Sequence, residues 1–475
     1  MSGPILQNSI SYDQILTPLD WVVFTLVLLS TYLFVYLGHK LRKKTADKEK
    51  AESVVEILLM GRQLTLPFFI ATLVATWYGG IFGVTQISFE KGIFNFITQG
   101  AFWYLTYIIF ALFLVKKINA YEAMTLPELV GKMFGPKSQK LSSWFNLLNV
   151  LPIAYVISVG LFLQTLFGGN LTVMSALGVL FVMTYSIGGG FRAIVFSDFF
   201  QFFIMCSSVA LVVIVSAFKF GTLDYLYAHL PATHFDPMGG ESLLTTMVWG
   251  FIALSTLVDP NFYHRCFAAE SSEVAKKGIL LSTVVWFLFD ICTTAGGLYA
   301  KAAIPDAPSN KAYLIYALQI LPEGLRGFMM AGLLTTVIST IDSFLFIAGT
   351  TVSYDILPSK WKNKPVVHHM GVAVVGAISI LISYFFEGNI KEVWKTLGSF
   401  AAACLLIPMV MGHILPKRIS DNDFVFSSIL AVITMTYWRH TEHTGVWLEL
   451  DALYIGLFTS LSTLLLLQAK KRMFS

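Results

Sequence analysis

An apolar stretch near residue 340 contains five hydroxyls and one carboxylate, in the sequence TTVISTIDS at residues 335–343. Hydroxyls and ionisable groups at membrane depth face a protein interior or a watery cavity, where they bind ions or substrates. Four of these residues share one face of a helix because they follow the spacing i, i+3, i+4, i+7; they are Thr336, Ser339, Thr340 and Ser343. Four oxygens on one helix face predict a cradle for a cation.

The chain as a whole has the composition of a membrane protein. Its 475 residues are 56% hydrophobic and only 13% charged, with a mean hydropathy of +0.71, whereas soluble domains are about 25% charged. The net charge of +4 is too small to indicate nucleic-acid binding. The four cysteines form neither a disulfide framework nor a CxxC metal pair. We therefore expect a polytopic protein whose surroundings are a lipid bilayer, with no nucleic-acid partner.

Thirteen segments are predicted to span the membrane, because a spanning helix needs about 17 to 25 mainly apolar residues. They are residues 19–41, 66–89, 92–115, 141–168, 172–190, 193–218, 243–264, 277–302, 325–355, 366–386, 391–413, 423–438 and 448–468. With the N-terminus outside, the inner segments carry 24 of the 32 Lys and Arg residues, Arg265 among them. The positive-inside rule then places the C-terminus in the cytoplasm and the protein in the cell membrane. The start of the chain lacks the basic region of a signal peptide, so we expect the first helix to be retained.

Two segments contain residues that interrupt helices. The sequence ATWYGG at 75–80 carries paired glycines, which weaken a helix interior, although close packing through small residues is the alternative. Pro260 predicts a kink near Thr256 because it removes a backbone hydrogen bond. Broken helices at the first and sixth positions predict two inverted five-helix repeats, 66–218 and 243–413, with a leading helix 19–41 and trailing helices at 423–468.

Several motifs resemble those of the sodium:solute symporters, a family of carriers of sugars, proline, sialic acid, pantothenate and monocarboxylates. The most specific motif is GGFRAIVFSDFFQ at 189–201, which is similar to the family signature GG-x-x-A-V-x-x-T-D-x-x-Q with Ser197 in place of threonine. Gly61-Arg62, Pro260 with Arg265 and Ala268-Ala269, and Ser339-Thr340 followed by Asp355 extend the resemblance. It implies an all-α polytopic fold with a leucine-transporter-like 5+5 inverted-repeat core, a small organic solute and Na⁺ as the coupling ion.

The resemblance also implies a sodium site between the broken second helix and helix nine. Its ligands would be the carbonyls of Ala75, Tyr78 and Thr336 with the hydroxyls of Ser339 and Thr340. Five oxygen ligands suit a hard cation.

Some members of the family bind a second sodium through the signature aspartate and the next turn of helix nine. Here this implies Asp198, Ser339, Asp342 and Ser343. Asp342 stands where a hydroxyl is expected, so the second site is predicted to take a sodium ion or a proton. An aspartate that serves only packing is the alternative.

The same resemblance puts the solute at mid-membrane, between helices two, three, four, seven and eleven. The candidate residues are Thr76, Trp77, Phe82, Gln86, Gln99, Tyr155, Ser158, Ile252, Ser255, Thr256 and Asp259. Aromatic residues at these positions serve either packing or solute binding. Asp290, in the middle of helix eight, matches no family motif and faces either the solute cavity or a packing partner. No arginine is expected at mid-membrane, so no bidentate clamp for a carboxylate is predicted.

These features predict sodium-coupled symport of a small organic solute by alternating access, and not an enzyme. A proton-coupled carrier of the same fold, using Asp198, Asp342 or Asp290, is one alternative. A sensory membrane domain that does not transport is another. An intramembrane enzyme is disfavoured because the predicted spans contain no His-Asp or metal-ligand constellation.

Overall fold

The computed structural model describes residues 15–45, 54–186, 190–358, 360–361, 365–445, 447 and 450–473. These ranges contain helices and loops, with one isolated parallel bridge between Leu64 and Ala269. Gly189, the first residue of the signature-like motif, lies outside the described residues, as do residues 448–449 at the start of the last predicted span.

A helix or a broken helix coincides with each of the thirteen predicted spans. In chain order they are α1 Pro18–Thr45, α2 Leu66–Lys91, α3 Phe96–Asn119, α4 Pro136–Phe167, α5 Leu171–Ser186, α6 Gly190–Phe220, α7 Leu243–Ala268, α8 Ser272–Ala303, α9 Leu325–Ile356, α10 Pro365–Tyr384, α11 Ile390–Ile414, α12 Asp421–Arg439 and α13 Ala452–Met473. Shorter helices lie between them, at Val54–Leu59, Leu126–Met133, Leu223–His229 and Ala312–Ile320.

Eleven helices in the described part of the chain are long and apolar enough to cross a membrane. The two that are not counted among these eleven are α5, which is apolar but shorter, and α12. The helix α1 exposes leucines at helical spacing, including Leu19, Leu26 and Leu33, as a helix facing lipid does. The chain is an all-α, multi-pass integral membrane protein.

The helix α2 is interrupted at the glycine pair. It runs as an α-helix from Leu66 to Trp77, tightens into one 3₁₀ turn over Tyr78–Gly80, and resumes from Ile81 to Lys91. A Cβ atom on Gly79 would lie 2.5 Å from Cβ of Thr340, and one on Gly80 would collide with Trp394. The glycines therefore permit the break and also let α9 and α11 approach the backbone closely, so both interpretations of this pair apply.

The helix α7 is interrupted where Pro260 predicted a kink. Its first part, Leu243–Ala253, passes through a 3₁₀ turn at Leu254–Val258, and Asp259 adopts an extended conformation. The side chain of Asp259 then accepts the backbone N–H groups of Asn261 and Phe262, at 2.8 and 3.3 Å, and so caps the second part, Pro260–Ala268.

The helix α4 also contains a break, which the sequence analysis did not predict. Residues Pro136–Asn149 and Ile153–Phe167 are separate helices joined at Pro152, which has no N–H to continue the ladder. The central helix is α9, in which every residue from Met329 to Thr350 is buried. It packs against α1, α2, α4, α6 and α10. The polar stripe at 335–343 is thereby enclosed by protein.

Candidate functional site

Hydroxyls of α9 meet the backbone of α2 just before the break. The Ser339 hydroxyl lies 2.9 Å from the carbonyl oxygen of Ala75 and 3.1 Å from that of Thr336. The Thr340 hydroxyl lies 3.2 Å from each of the same two carbonyls. All four residues are at most 1% exposed. The structure thus brings together four of the five residues predicted for the first sodium site.

These four oxygens fit the donor set that a hard monovalent cation prefers. Each hydroxyl carries one rotatable proton and two lone pairs, so it can donate to a carbonyl or turn its lone pairs toward an ion. Both carbonyls lie within hydrogen-bond distance of the same two hydroxyls and carry no charge. The fifth predicted ligand, the carbonyl of Tyr78, accepts the N–H of Ile81 in the 3₁₀ turn and keeps a second lone pair.

A buried arginine lies among the residues predicted for the second cation site. The guanidinium of Arg265, fully buried, lies 3.8 Å from the carboxylate of Asp198. Its Nη2, which has two protons to donate, lies within hydrogen-bond distance of three hydroxyls, those of Ser343 at 3.0 Å, Thr72 at 3.0 Å and Thr76. The Thr72 hydroxyl in turn donates to Asp198, at 2.5 Å. A positive charge of the protein itself therefore sits beside Asp198 and Ser343.

The prediction placed Arg265 in the inner segment that follows helix seven, whereas the structure buries its side chain within α7. That prediction ended helix seven at residue 264, but the Asp259 cap restarts the helix and carries it to Ala268, within a candidate span. Asp198 and three hydroxyls surround the Nη2 end of the buried guanidinium, and Nη1 donates to the carbonyl of Asn261 at 3.4 Å, whereas Nε has no hydrogen-bond partner among the described residues.

The remaining predicted members of the second site point elsewhere. The carboxylate of Asp342 accepts a hydrogen bond from Ser186 on α5, and Ser339 belongs to the Ala75 cluster. Asp198 Oδ1 is buried and has no hydrogen-bond partner among the described residues. No described hydrogen bond joins Asp342 to Asp198 or to Ser343, so these side chains have different hydrogen-bond partners.

A cavity of about 140 Å³ lies beside the α2 break. Six of the eleven residues predicted to contact the solute line it: Trp77, Gln99, Tyr155, Ile252, Ser255 and Asp259.

The other five predicted contact residues lie outside this lining. Thr76 faces Arg265 and Ser343, and Gln86 donates to Glu90 near the outer end of α2. Ser158 donates to the carbonyl of its own helix at Ala154, and Phe82 and Thr256 are buried.

Most of the cavity wall comes from residues that were not predicted to contact the solute. They include Tyr78, Trp103, Tyr104, Tyr107, Asn149, Trp286, Phe344 and Trp394. Helix eight was absent from the predicted pocket, yet Trp286 and Asp290 lie one turn apart on it and both face the cavity. The available signal was Asp290 itself, a lone carboxylate in an apolar span.

Asp290 is bound by two tyrosines at the edge of the cavity. The hydroxyl of Tyr78, within the α2 break, donates to one carboxylate oxygen, and the hydroxyl of Tyr104 on α3 donates to the other. Asp290 is 2% exposed. Asp290 thus lines the cavity while its carboxylate is bound by neighbouring side chains, so both interpretations offered for this residue apply.

Comparison with known proteins finds similarity to one family. The family described as "SSF: Sodium:solute symporter family" matches residues 58–423. Sodium/glucose cotransporter 4 of Mus musculus is 25% identical over 305 residues, which are 54% of this chain and 44% of that protein. The osmoregulated proline transporter OpuE of Bacillus subtilis (strain 168) is 22% identical over 411 residues, covering 77% and 80%. The sodium/pantothenate symporter of Escherichia coli (strain K12) is 24% identical over 319 residues, covering 62% and 64%. The chain spans about half the length of the sodium/glucose cotransporter.

Two solved structures share the fold. A Na⁺-coupled sialic acid symporter, in a substrate-bound outward-open state, superposes with a TM-score of 0.76 at 16% identity, covering 95% of this chain and 98% of that one. The transporter Mhp1, of the nucleobase-cation-symport-1 family, superposes with a TM-score of 0.56 at 14% identity, covering 87% and 95%.

Proposed function

Because the chain belongs to the sodium:solute symporter family, whose matched relatives are transporters and not enzymes, we propose that it is a sodium-coupled symporter of a small organic solute. It works by alternating access in the cell membrane, with the N-terminus outside and the C-terminus in the cytoplasm. Its thirteen spans comprise a leading helix, two inverted five-helix repeats and two trailing helices. The breaks in α2 and α7, at the first position of each repeat, support this organisation.

The observation that carries the proposal is the convergence of four uncharged oxygens, from Ala75, Thr336, Ser339 and Thr340, at the α2 break. Sodium bound there joins α2 to α9, and the carbonyl of Tyr78 completes the set of five ligands. Since the site consists of carbonyls and hydroxyls without a carboxylate, it holds sodium weakly enough to release it inside the cell, where sodium is scarce.

Residues 75–80, which include the α2 break, connect the ion to the solute. The carbonyl of Ala75 faces the sodium site, while Trp77 and Tyr78 line the cavity. An ion that fixes this turn therefore also orders the solute site, and the solute orders the ion site in return. Such reciprocal linkage is the energetic basis of coupling. At a membrane potential of 100 mV, one sodium ion adds about 2.3 kcal/mol to solute accumulation.

We assign one sodium ion to each transport cycle. In this account the guanidinium of Arg265 supplies the positive charge beside Asp198 and Ser343 that a second sodium would otherwise bring. Two alternatives predict different uptake kinetics. A second sodium ion held by Asp198, Ser339, Asp342 and Ser343 would give a sodium dependence with a Hill coefficient above one. A proton carried by Asp342 would give a sodium-independent component of uptake.

Binding of radioactive sodium to the purified chain tests the site itself. The double variant Ser339→Ala with Thr340→Ala should raise the Kd for sodium at least tenfold, since it removes two of five ligands. Thr335→Ala is the matched control because the Thr335 hydroxyl, on the same buried helix, donates only to the carbonyl of Gly332. If the double variant binds sodium as the wild type does, the proposed site is wrong.

A further inference from the structure

We propose that the cavity beside the α2 break binds the ammonium group of a positively charged organic solute, with Asp290 as its counter-ion and the rings of Trp77, Tyr107 and Trp286 as its aromatic wall. The inference rests on the proposed function, whose solute it assigns to a chemical class. It follows from two independent properties of the cavity, its charge and its aromatic lining.

The charged side chains that line the cavity are all acidic. Asp259 and Asp290 both line it, and the lining contains no lysine, arginine or histidine. Asp259 is compensated by the helix that it caps, through the N–H groups of Asn261 and Phe262. Asp290 has only two neutral partners, the hydroxyls of Tyr78 and Tyr104, and no described ion pair includes it. An isolated buried carboxylate is costly, and a cationic solute would supply the charge that the protein does not.

Several aromatic rings line the cavity and pack against one another. The rings of Tyr107 and Trp286 lie with their centroids 4.4 Å apart, and Trp77 lies 6.0 Å from Tyr107 and 6.3 Å from Trp286. Trp103, Tyr104 and Trp394 add further rings to the same lining. Tryptophan gives the strongest cation–π attraction, and cages of aromatic rings bind quaternary ammonium groups.

The same lining argues against two other classes of solute. An anionic solute would meet two carboxylates and no basic group. A polyol would need many donors and acceptors, but the uncharged, non-aromatic polar side chains of the lining are only Gln99, Asn149 and Ser255. The hydroxyls of Tyr78 and Tyr104 already donate hydrogen bonds to Asp290. A cation with apolar substituents matches both the charge and the surface of this cavity.

Two pairs of probes that differ in charge but hardly in shape test the inference. Choline is compared with its uncharged isostere 3,3-dimethylbutan-1-ol, and benzylammonium with benzyl alcohol. Quenching of tryptophan fluorescence in the purified full-length chain, in sodium buffer, gives the Kd of each probe. In at least one pair the charged member should bind tenfold or more tightly than the neutral one. Equal or weaker binding of the charged member in both pairs would overturn the inference.

Variants at Asp290 separate a charge effect from a structural one. Asp290→Asn, which keeps the shape, should weaken binding of the preferred cation at least tenfold and leave its neutral partner unchanged. Asp290→Glu should restore the preference for the charged probe. If the role of Asp290 were purely structural, the longer side chain would weaken binding of that probe at least as much as asparagine does. Asp224→Asn, on an exposed outer helix, is the matched control and should behave as the wild type.

Sodium binding distinguishes failure of this inference from failure of the proposed function. Asp290→Asn should still bind radioactive sodium with the wild-type Kd, because Asp290 is not a ligand of the sodium site. A wild-type chain that binds sodium but prefers the neutral probes would refute the cationic solute alone. A wild-type chain that does not bind sodium would refute the proposed symport mechanism whatever probe it prefers.

Discussion

Replacing Arg265 by methionine tests the assignment of this buried guanidinium as the charge partner of Asp198. Methionine fills much of the same volume but leaves Asp198 with the hydroxyl of Thr72 as its only described partner. The carboxylate oxygen Oδ1 of Asp198 already has none among the described residues. Removing one partner of a buried ion pair costs about 3–5 kcal/mol, because the other charge stays buried and unpaired. We expect the free energy of unfolding to fall by about that amount in sodium-free buffer.

Sodium should then restore part of the lost stability. With the guanidinium gone, the oxygens of Asp198, Thr72, Thr76 and Ser343 surround a space that suits a monovalent cation. A ligand at 100 times its Kd stabilises the folded state by about 2.7 kcal/mol. The wild type, in which the guanidinium occupies this position, should gain stability only from the first sodium site.

The assay is denaturant unfolding of the purified protein in detergent, with sodium chloride exchanged for potassium chloride at constant ionic strength. Arg192→Met is the matched control, since Arg192 is 7% exposed and also pairs with a carboxylate, its Nε lying 2.8 Å from Glu56. That variant should lose stability without a sodium-specific gain beyond that of the wild type. The reasoning is refuted if Arg265→Met costs less than about 1 kcal/mol, well below the range for a broken buried pair, or if sodium and potassium restore it equally.

Two further predictions concern the α2 break and the loop between α6 and α7. Gly80→Ala should abolish sodium binding, because the added Cβ atom would collide with Trp394. Gly250→Ala, whose added Cβ atom would have Phe102 as its nearest neighbour at 3.6 Å, should bind sodium as the wild type does. Binding of radioactive sodium measures both variants, and equal binding by the two would contradict the first prediction. His234 is 5% exposed in the loop between α6 and α7, where burial lowers its pKa below the usual 6.5 despite a hydrogen bond to the carbonyl of Phe89. Because the folded state disfavours protonation of His234, the stability of the protein should fall as the pH drops below about 6.5. The melting temperature of His234→Gln should depend less on pH than that of the wild type, and an unchanged pH dependence would contradict this. His229→Gln, at an exposed position, is the control.

Local sequence signals identified the residues that meet at the α2 break better than those that line the cavity. The hydroxyls of Ser339 and Thr340 and the glycines after Tyr78 lie on two segments whose helix face and break follow from short-range spacing. Their meeting at the carbonyl of Ala75 needed only that the two segments pack together, as the family resemblance implied.

The environment of Arg265 and the wall of the cavity depend on long-range packing. The burial of Arg265 was not predicted, because it depends on contacts with Asp198, which lies on another helix. Trp286 and Tyr104 were missed because the rotation of α8 and α3 about their axes decides which residues face the cavity. Asp290 was recognised as unusual, but its tyrosine partners come from α2 and α3, and no spacing within helix eight predicts them.

Uptake into proteoliposomes under separately imposed gradients tests sodium coupling most directly. The solute is the labelled compound that most raises the melting temperature of the purified chain in a screen with sodium. The account predicts accumulation with an inward sodium gradient and no pH difference, and no accumulation with an inward proton gradient in sodium-free, potassium-containing medium. Accumulation driven by protons alone, or uptake indifferent to sodium, would contradict it.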